Sequence, residues 1–181
     1  SDDVLDEQDR TKIGDPWPDF VYGLSLGATW KGFDFNVFFQ GSQGNDVLNM
    51  TLRDFESGTG TMNAREGFLN RAWNGEGSTD KYHRISAEQG QNSEISDYFV
   101  EDGSYLRLKN LQLGYNFCER LLKIKGISYL RLYVSAQNLF TLTKYSGLDP
   151  EIGSSNATLN GIDQGFYPQA RTWTVGLNIK F

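Results

Sequence analysis

Two pairs of carboxylates stand close in the chain, Glu101 with Asp102 and Asp149 with Glu151, and such pairs are what a glycosidase uses as acid and base. That mechanism depends on a carboxyl separation that sequence does not give, whereas Asp102-Gly103 and Asp149-Pro150 are ordinary turn formers. The one histidine, His83, sits alone in a polar stretch and reads as a solvated side chain rather than a base. The one cysteine, Cys118, cannot form an intrachain disulfide and has no histidine, aspartate or second thiol beside it, so it reads as a small turn residue. No triad, activated nucleophile or metal-ligand set is legible, and the expectation is a protein with no catalytic residue, no metal and no cofactor. The chemistry left is noncovalent. Trp17, Trp73, Tyr82, Tyr98, Phe166 and Tyr167 lie in polar segments where rings can stack on sugars. Of these, Trp73, Tyr82, Phe166 and Tyr167 are the candidate substrate-binding residues.

Charge and composition narrow the class. A net charge of -6 argues against nucleic acid, whose phosphates demand a basic face. No apolar run approaches the ~18 residues of a membrane helix, which excludes a helical membrane protein but not a barrel, whose strands carry only half their residues as apolar. Aromatics reach 14% and glycine 20 residues against 4 prolines, a profile that suits many strands with interfacial rings. The first ten residues, Ser1 to Arg10, are acidic and lack the apolar core of a signal peptide, so the expectation is a mature chain or a fragment.

The elements that would position these rings are strands. From Arg171 to Phe181 polar and apolar residues alternate without a fault: Trp173, Val175, Leu177, Ile179 and Phe181 share one face, and Thr172, Thr174, Gly176, Asn178 and Lys180 the other. Its length matches the ~9–11 residues of a tilted transmembrane strand. Similar alternation predicts strands over about 19–30, 33–41, 104–117 and 128–139, with Lys31-Gly32 as a tight hairpin turn. The parity slips near Asn110, where a bulge is the simplest repair. Long polar segments occupy 42–103 and 140–170, with a short helix expected between Asn63 and Trp73.

Long and short connections therefore alternate, as in outer-membrane barrels with long extracellular loops and short periplasmic turns. On that phase Phe181 falls on the periplasmic side, with Trp30, Phe33, Tyr115 and Phe117, while Phe20, Tyr22, Phe39 and Trp173 fall at the outer interface. Five strands are too few to close a barrel, since small ones use ~8, and an open edge in lipid leaves backbone groups unsatisfied. The expectation is thus an all-β segment of a larger transmembrane wall. Arginine at Leu177 or Val134 should cost ~2–4 kcal/mol at the midplane, unlike arginine at Asn178. The alternative is a soluble all-β carbohydrate-binding module, which would stay dispersed without detergent.

Several phrases carry a family likeness: Asp9-Arg10-Thr11, Ile13-Gly14-Asp15-Pro16 and Pro18-Asp19-Phe20; Phe38 to Asp46; Val100 to Leu111; Ser135 to Thr141; Tyr145 to Glu151; and Tyr167 to Thr172. In this order they resemble the carboxyl-terminal end of the SusC/RagA family of TonB-dependent outer-membrane transporters. The resemblance implies a plugged barrel of the 22-stranded type that imports glycans or peptides. It implies as partners the remainder of the barrel and its plug, a SusD-like surface lipoprotein, TonB acting through a segment outside this sequence, an oligosaccharide or peptide substrate, and outer-membrane lipid. The acidic start, Asp2 to Asp9, resembles the tail of a calcium-binding loop of some relatives but lacks its Asn-Gly-Asp-Gly core, so no metal is expected there.

Overall fold

The computed structural model describes residues 9–56, 63–79, 81–85, 91–117, 126–153 and 157–181, so Cys118 lies outside the described residues. In chain order the strands and helices are β1 (Phe20–Trp30), β2 (Phe33–Gln43), β3 (Asp46–Asn49), α1 (Met50–Glu56), α2 (Phe68–Arg71), β4 (Val100–Asp102), β5 (Tyr105–Phe117), β6 (Tyr129–Gln137), β7 (Thr141–Thr143), β8 (Ile162–Asp163) and β9 (Thr172–Lys180). No described helix is long and apolar enough to cross a membrane. The chain divides into two compact units. One, the wall, comprises Pro18–Gly44, Ser104–Lys144 and Pro168–Phe181; the other, the loop unit, comprises Asn45–Gly103, Tyr145–Tyr167 and the described residues before Pro18.

The wall is one antiparallel sheet in the order β1-β2-β5-β6-β9, with β7 pairing the start of β5. Lys31 and Gly32 both hold positive φ, 48° and 93°, the two left-handed positions that a type I′ turn requires to match strand twist. Register is set by side-chain type from strand to strand. Ala28, Phe35, Leu113, Val134 and Val175 form one row across all five strands, and Thr29, Asp34, Gly114, Tyr133 and Gly176 form the adjacent row on the opposite face. Pairing shifts between Phe38 and Phe39: Asn110 opposes the first and Leu108 the second, so Lys109 is the extra residue, where the parity of the sequence slips.

The sheet has six strands rather than five. Asn138 takes a left-handed φ of 52°, which ends β6 at Gln137, and the chain then resumes pairing on β5 as β7. Between them the amides of Asn138 and Leu139 donate to the carbonyls of Lys109 and Leu108 at 3.1 Å each, so the ladder continues through the break. The apolar face is bare. Trp173 is 65% exposed, Val175 71% and Leu177 55%, and Leu24, Leu26, Phe35, Leu113 and Leu132 are exposed with them. A soluble sandwich would bury these side chains against a second sheet, and a continuous apolar surface of this extent is what lipid covers.

The loop unit contains structure that alternation did not reveal. The four residues of β3 lie between β4, antiparallel, and β8, parallel. Asn49 caps α1, its side-chain oxygen accepting from the Leu52 amide at 2.8 Å and the Thr51 hydroxyl at 2.6 Å. Only α2 falls in the segment where a helix was expected. Val47, Phe68 and Phe99 are fully buried and form the apolar part of its interior.

Candidate functional site

On the polar face of the wall, β2, β5 and β6 bring one charged cluster together. Arg131 reaches across β5 to Asp34, its Nη2 donating at 2.5 Å and its Nε at 2.9 Å, in the forked geometry that guanidinium and carboxylate share. The reach is possible because the residue between them is Gly114: a Cβ there would lie 2.5 Å from the Asp34 carboxylate and 2.7 Å from the Arg131 guanidinium. Asn116 donates to Asp34 at 3.0 Å and accepts from the Tyr129 hydroxyl at 2.6 Å. Nearer the opposite end of β5, the buried Arg107 donates to the Thr141 hydroxyl at 2.8 Å. These groups are mutually satisfied, which makes them a fixed polar lining and not a reacting set.

The loop unit is held by hydrogen-bonded carboxylates. Glu101 accepts from the Asn49 amide, the Ser146 hydroxyl and the Ser146 backbone amide, each at 2.8 Å. Asp163 accepts from the Tyr145 hydroxyl at 2.5 Å and from the amides of Gly165 and Phe166. Burial, and then the neighbouring Asp163 carboxylate, pushes the Tyr145 hydroxyl well above its ordinary pKa. Glu56, its side chain only 3% exposed, accepts from the Tyr98 hydroxyl at 2.8 Å and lies 3.5 Å from the Arg65 guanidinium. Tyr98 is raised in the same way, by burial first and Glu56 second.

The carboxylate pairs suggested by sequence are therefore structural. Asp102 pairs opposite Asp46 in the small sheet, and Asp149 accepts the Glu151 amide at 2.9 Å in a turn. His83 is not a solvated side chain: its ring packs against Tyr98 at a centroid distance of 4.1 Å, tilted by 51°, and its Nε2 is buried without a hydrogen-bond partner among the described residues. That burial holds its pKa below the ordinary value.

Two clefts open in the loop unit. The first, about 330 Å³, is lined in part by Glu56, Arg65, Lys81, Tyr82 and Tyr98; the second, about 270 Å³, by Asn70, Arg71, Asn74, Ser78 and Tyr82 among others. Of the four candidate rings only Tyr82 lines them. Trp73 is tied by its backbone amide to the His83 carbonyl at 3.1 Å, Phe166 is partly exposed after β8, and Tyr167 is 90% exposed. The cations Arg65, Arg71 and Lys81 were passed over in the sequence, although basic residues in a polar segment of an acidic chain were the available signal.

No family model matches the chain. Among curated proteins, the TonB-dependent receptor P3 of Formosa agariphila is 44% identical over 179 residues, which is 96% of this chain and 17% of that protein. The TonB-dependent receptor SusC of Bacteroides thetaiotaomicron is 34% identical over 187 residues, again 17% of its length. Among solved structures, the RagAB peptide importer in its closed-closed state superposes with a TM-score of 0.76 at 31% identity, covering 92% of this chain and 18% of that one. The chain thus spans less than a fifth of the relatives it matches, and the proteins matched are receptors and an importer rather than enzymes. With nearly all of its own length aligned at these identities, the chain belongs to the SusC/RagA family of TonB-dependent receptors.

Proposed function

We propose that this segment is the carboxyl-terminal stretch of an outer-membrane nutrient importer, residues 1–181 supplying wall strands and outer loops. The observation that carries the reading is the bare apolar face backed by a paired polar one, which suits a wall with lipid on one side and an aqueous interior on the other. The relatives, TonB-dependent receptors and a peptide importer, support TonB-driven uptake; in this reading the cargo is a glycan oligosaccharide or a peptide and the partner a SusD-like lipoprotein. In this reading the loop unit is extracellular, Lys31-Gly32 and Phe181 are periplasmic, and Trp73, Tyr82, Phe166 and Tyr167 contribute to the cargo surface. The soluble-module alternative is disfavoured by the exposed row on the wall.

The test is growth of the source bacterium on candidate oligosaccharides or peptides as sole nutrient, with the complete transporter gene deleted and then restored. Loss on deletion, recovery on restoration and dependence on TonB support the proposal; unimpaired growth of the deletion strain on every cargo class counts against it. Orientation is read separately, by labelling single cysteines at Tyr167 and Lys31 in intact cells with a membrane-impermeant reagent. Label at Tyr167 alone is expected, and label at Lys31 alone would reverse the assignment.

A further inference from the structure

Resting on that reading of the loop unit as cargo-facing, we propose that the two clefts sharing Tyr82 form a subsite for an anionic oligosaccharide, one that carries carboxylate or sulfate groups. The chain as a whole is acidic, at -6, yet among the described residues that line these clefts the charge left unspent is positive. The guanidinium of Arg71 stands 4.9 Å from the centre of the Tyr82 ring and the ammonium of Lys81 5.5 Å from it, so one ring positions both cations. Arg71 also donates to the Tyr82 hydroxyl at 3.2 Å, and among the described residues neither cation has a carboxylate within salt-bridge reach.

The carboxylates that line the first cleft are already committed. Glu56 is held by Tyr98 and Arg65 in the interior, and Glu101 by Asn49 and Ser146. Arg65 remains 46% exposed beside its one carboxylate, adding a third cation at the mouth of the first cleft. An incoming anion therefore meets cations that no described residue fully neutralises, and charge-assisted contacts of this kind are the stronger class of hydrogen bond.

The rest of the second cleft selects the class of ligand. Asn70 and Asn74 bring side-chain amides, which suit the many hydroxyls of a saccharide, while the Ser78 and Thr79 hydroxyls bond the local backbone and hold the loop. None of these residues lies in a strand, so the cleft offers no sheet edge along which a peptide could extend. The first cleft, about 330 Å³, sits at the lower end of the ~300–1,000 Å³ range of ligand pockets and the second, about 270 Å³, just below it, which suits a short saccharide.

The test uses the full-length transporter in detergent, titrated calorimetrically with an uronate- or sulfate-bearing oligosaccharide, its neutral counterpart of equal length, and an acidic peptide. Tighter binding of the charged saccharide is expected, weakening as salt is raised. Replacing Arg71→Gln with Lys81→Gln should lower that affinity about tenfold, as loss of charge-assisted contacts implies, and leave the neutral sugar unchanged. The exchange Arg71→Lys with Lys81→Arg should retain the preference, which separates loss of charge from loss of fold. Equal binding of charged and neutral sugars, an unchanged charged-sugar affinity in the glutamine variant, or preference for the acidic peptide overturns this inference alone. Failure to bind any saccharide or peptide removes the cargo-surface reading with it.

Discussion

Adjacent residues of β9 offer the sharpest test of the wall. Val175 and Thr174 are neighbours in one strand, but the first opposes Val134 on the apolar face and the second opposes Ser135 on the polar face. Val175 is 71% exposed in the chain by itself, so replacing it removes little packing. If water covered that face, Val175→Arg would fall within the roughly ±0.5 kcal/mol typical of surface substitutions. If hydrocarbon covers it, an arginine near the middle of the strand costs ~2–4 kcal/mol, a factor of about 30 to 700 in the folding equilibrium. Thr174→Arg, aimed at the aqueous side, should stay near the lower figure. Urea unfolding of the complete transporter in liposomes, followed by tryptophan fluorescence, compares the two directly. Equal destabilisation, or a larger effect at Thr174, would refute the assignment of faces.

Three further outcomes follow from the same geometry. Gly114→Ala should push apart the Asp34–Arg131 pair and cost about 1–3 kcal/mol by overpacking, seen as a lower thermal midpoint; an unchanged midpoint contradicts the close approach. Asp34→Asn and Arg131→Gln, alone and together, should be non-additive by about 0.5–3 kcal/mol in a double-mutant cycle, whereas additive costs would mean the pair is not coupled. His83, whose folded pKa lies below the unfolded value near ~6.5, stabilises the loop unit fully above that pH and progressively less as pH falls through it, because the unfolded form takes the proton first. Hydrogen exchange around Asp97–Phe99, corrected for intrinsic rates, should therefore lose protection on acidification, and His83→Phe should abolish the pH dependence while keeping the packed ring.

Legibility in the sequence followed the range over which each element is determined. The all-β wall was readable because alternation is local: each residue of the last strand declares its face without reference to its partners. Even the slip near Asn110 was visible, since an extra residue inverts the parity of everything after it. The break at Asn138 was not, because a single left-handed residue leaves no periodic trace. The small sheet escaped for a different reason. Its strands of two to four residues are too short to show a period, and Leu48 finds Val100 and Ile162 only through distant pairing. Its interior is also polar, with Glu56 and Asp163 holding places that hydropathy assigns to solvent. Of the candidate rings, Tyr82 reaches the clefts while Phe166 and Tyr167 do not, since ring type alone says nothing of convergence.

Gly176 stands opposite Tyr133 in the register, and a Cβ there would fall 2.2 Å from the phenol ring, so the ring lies flat across the space a side chain would take. An aromatic group laid tangentially adds almost no height to its surface, whereas the same group standing upright would project several ångströms. A bulky residue at position 176 would tip the phenol up off the sheet, and its first symptom would be a rougher polar surface, ahead of any loss of the fold.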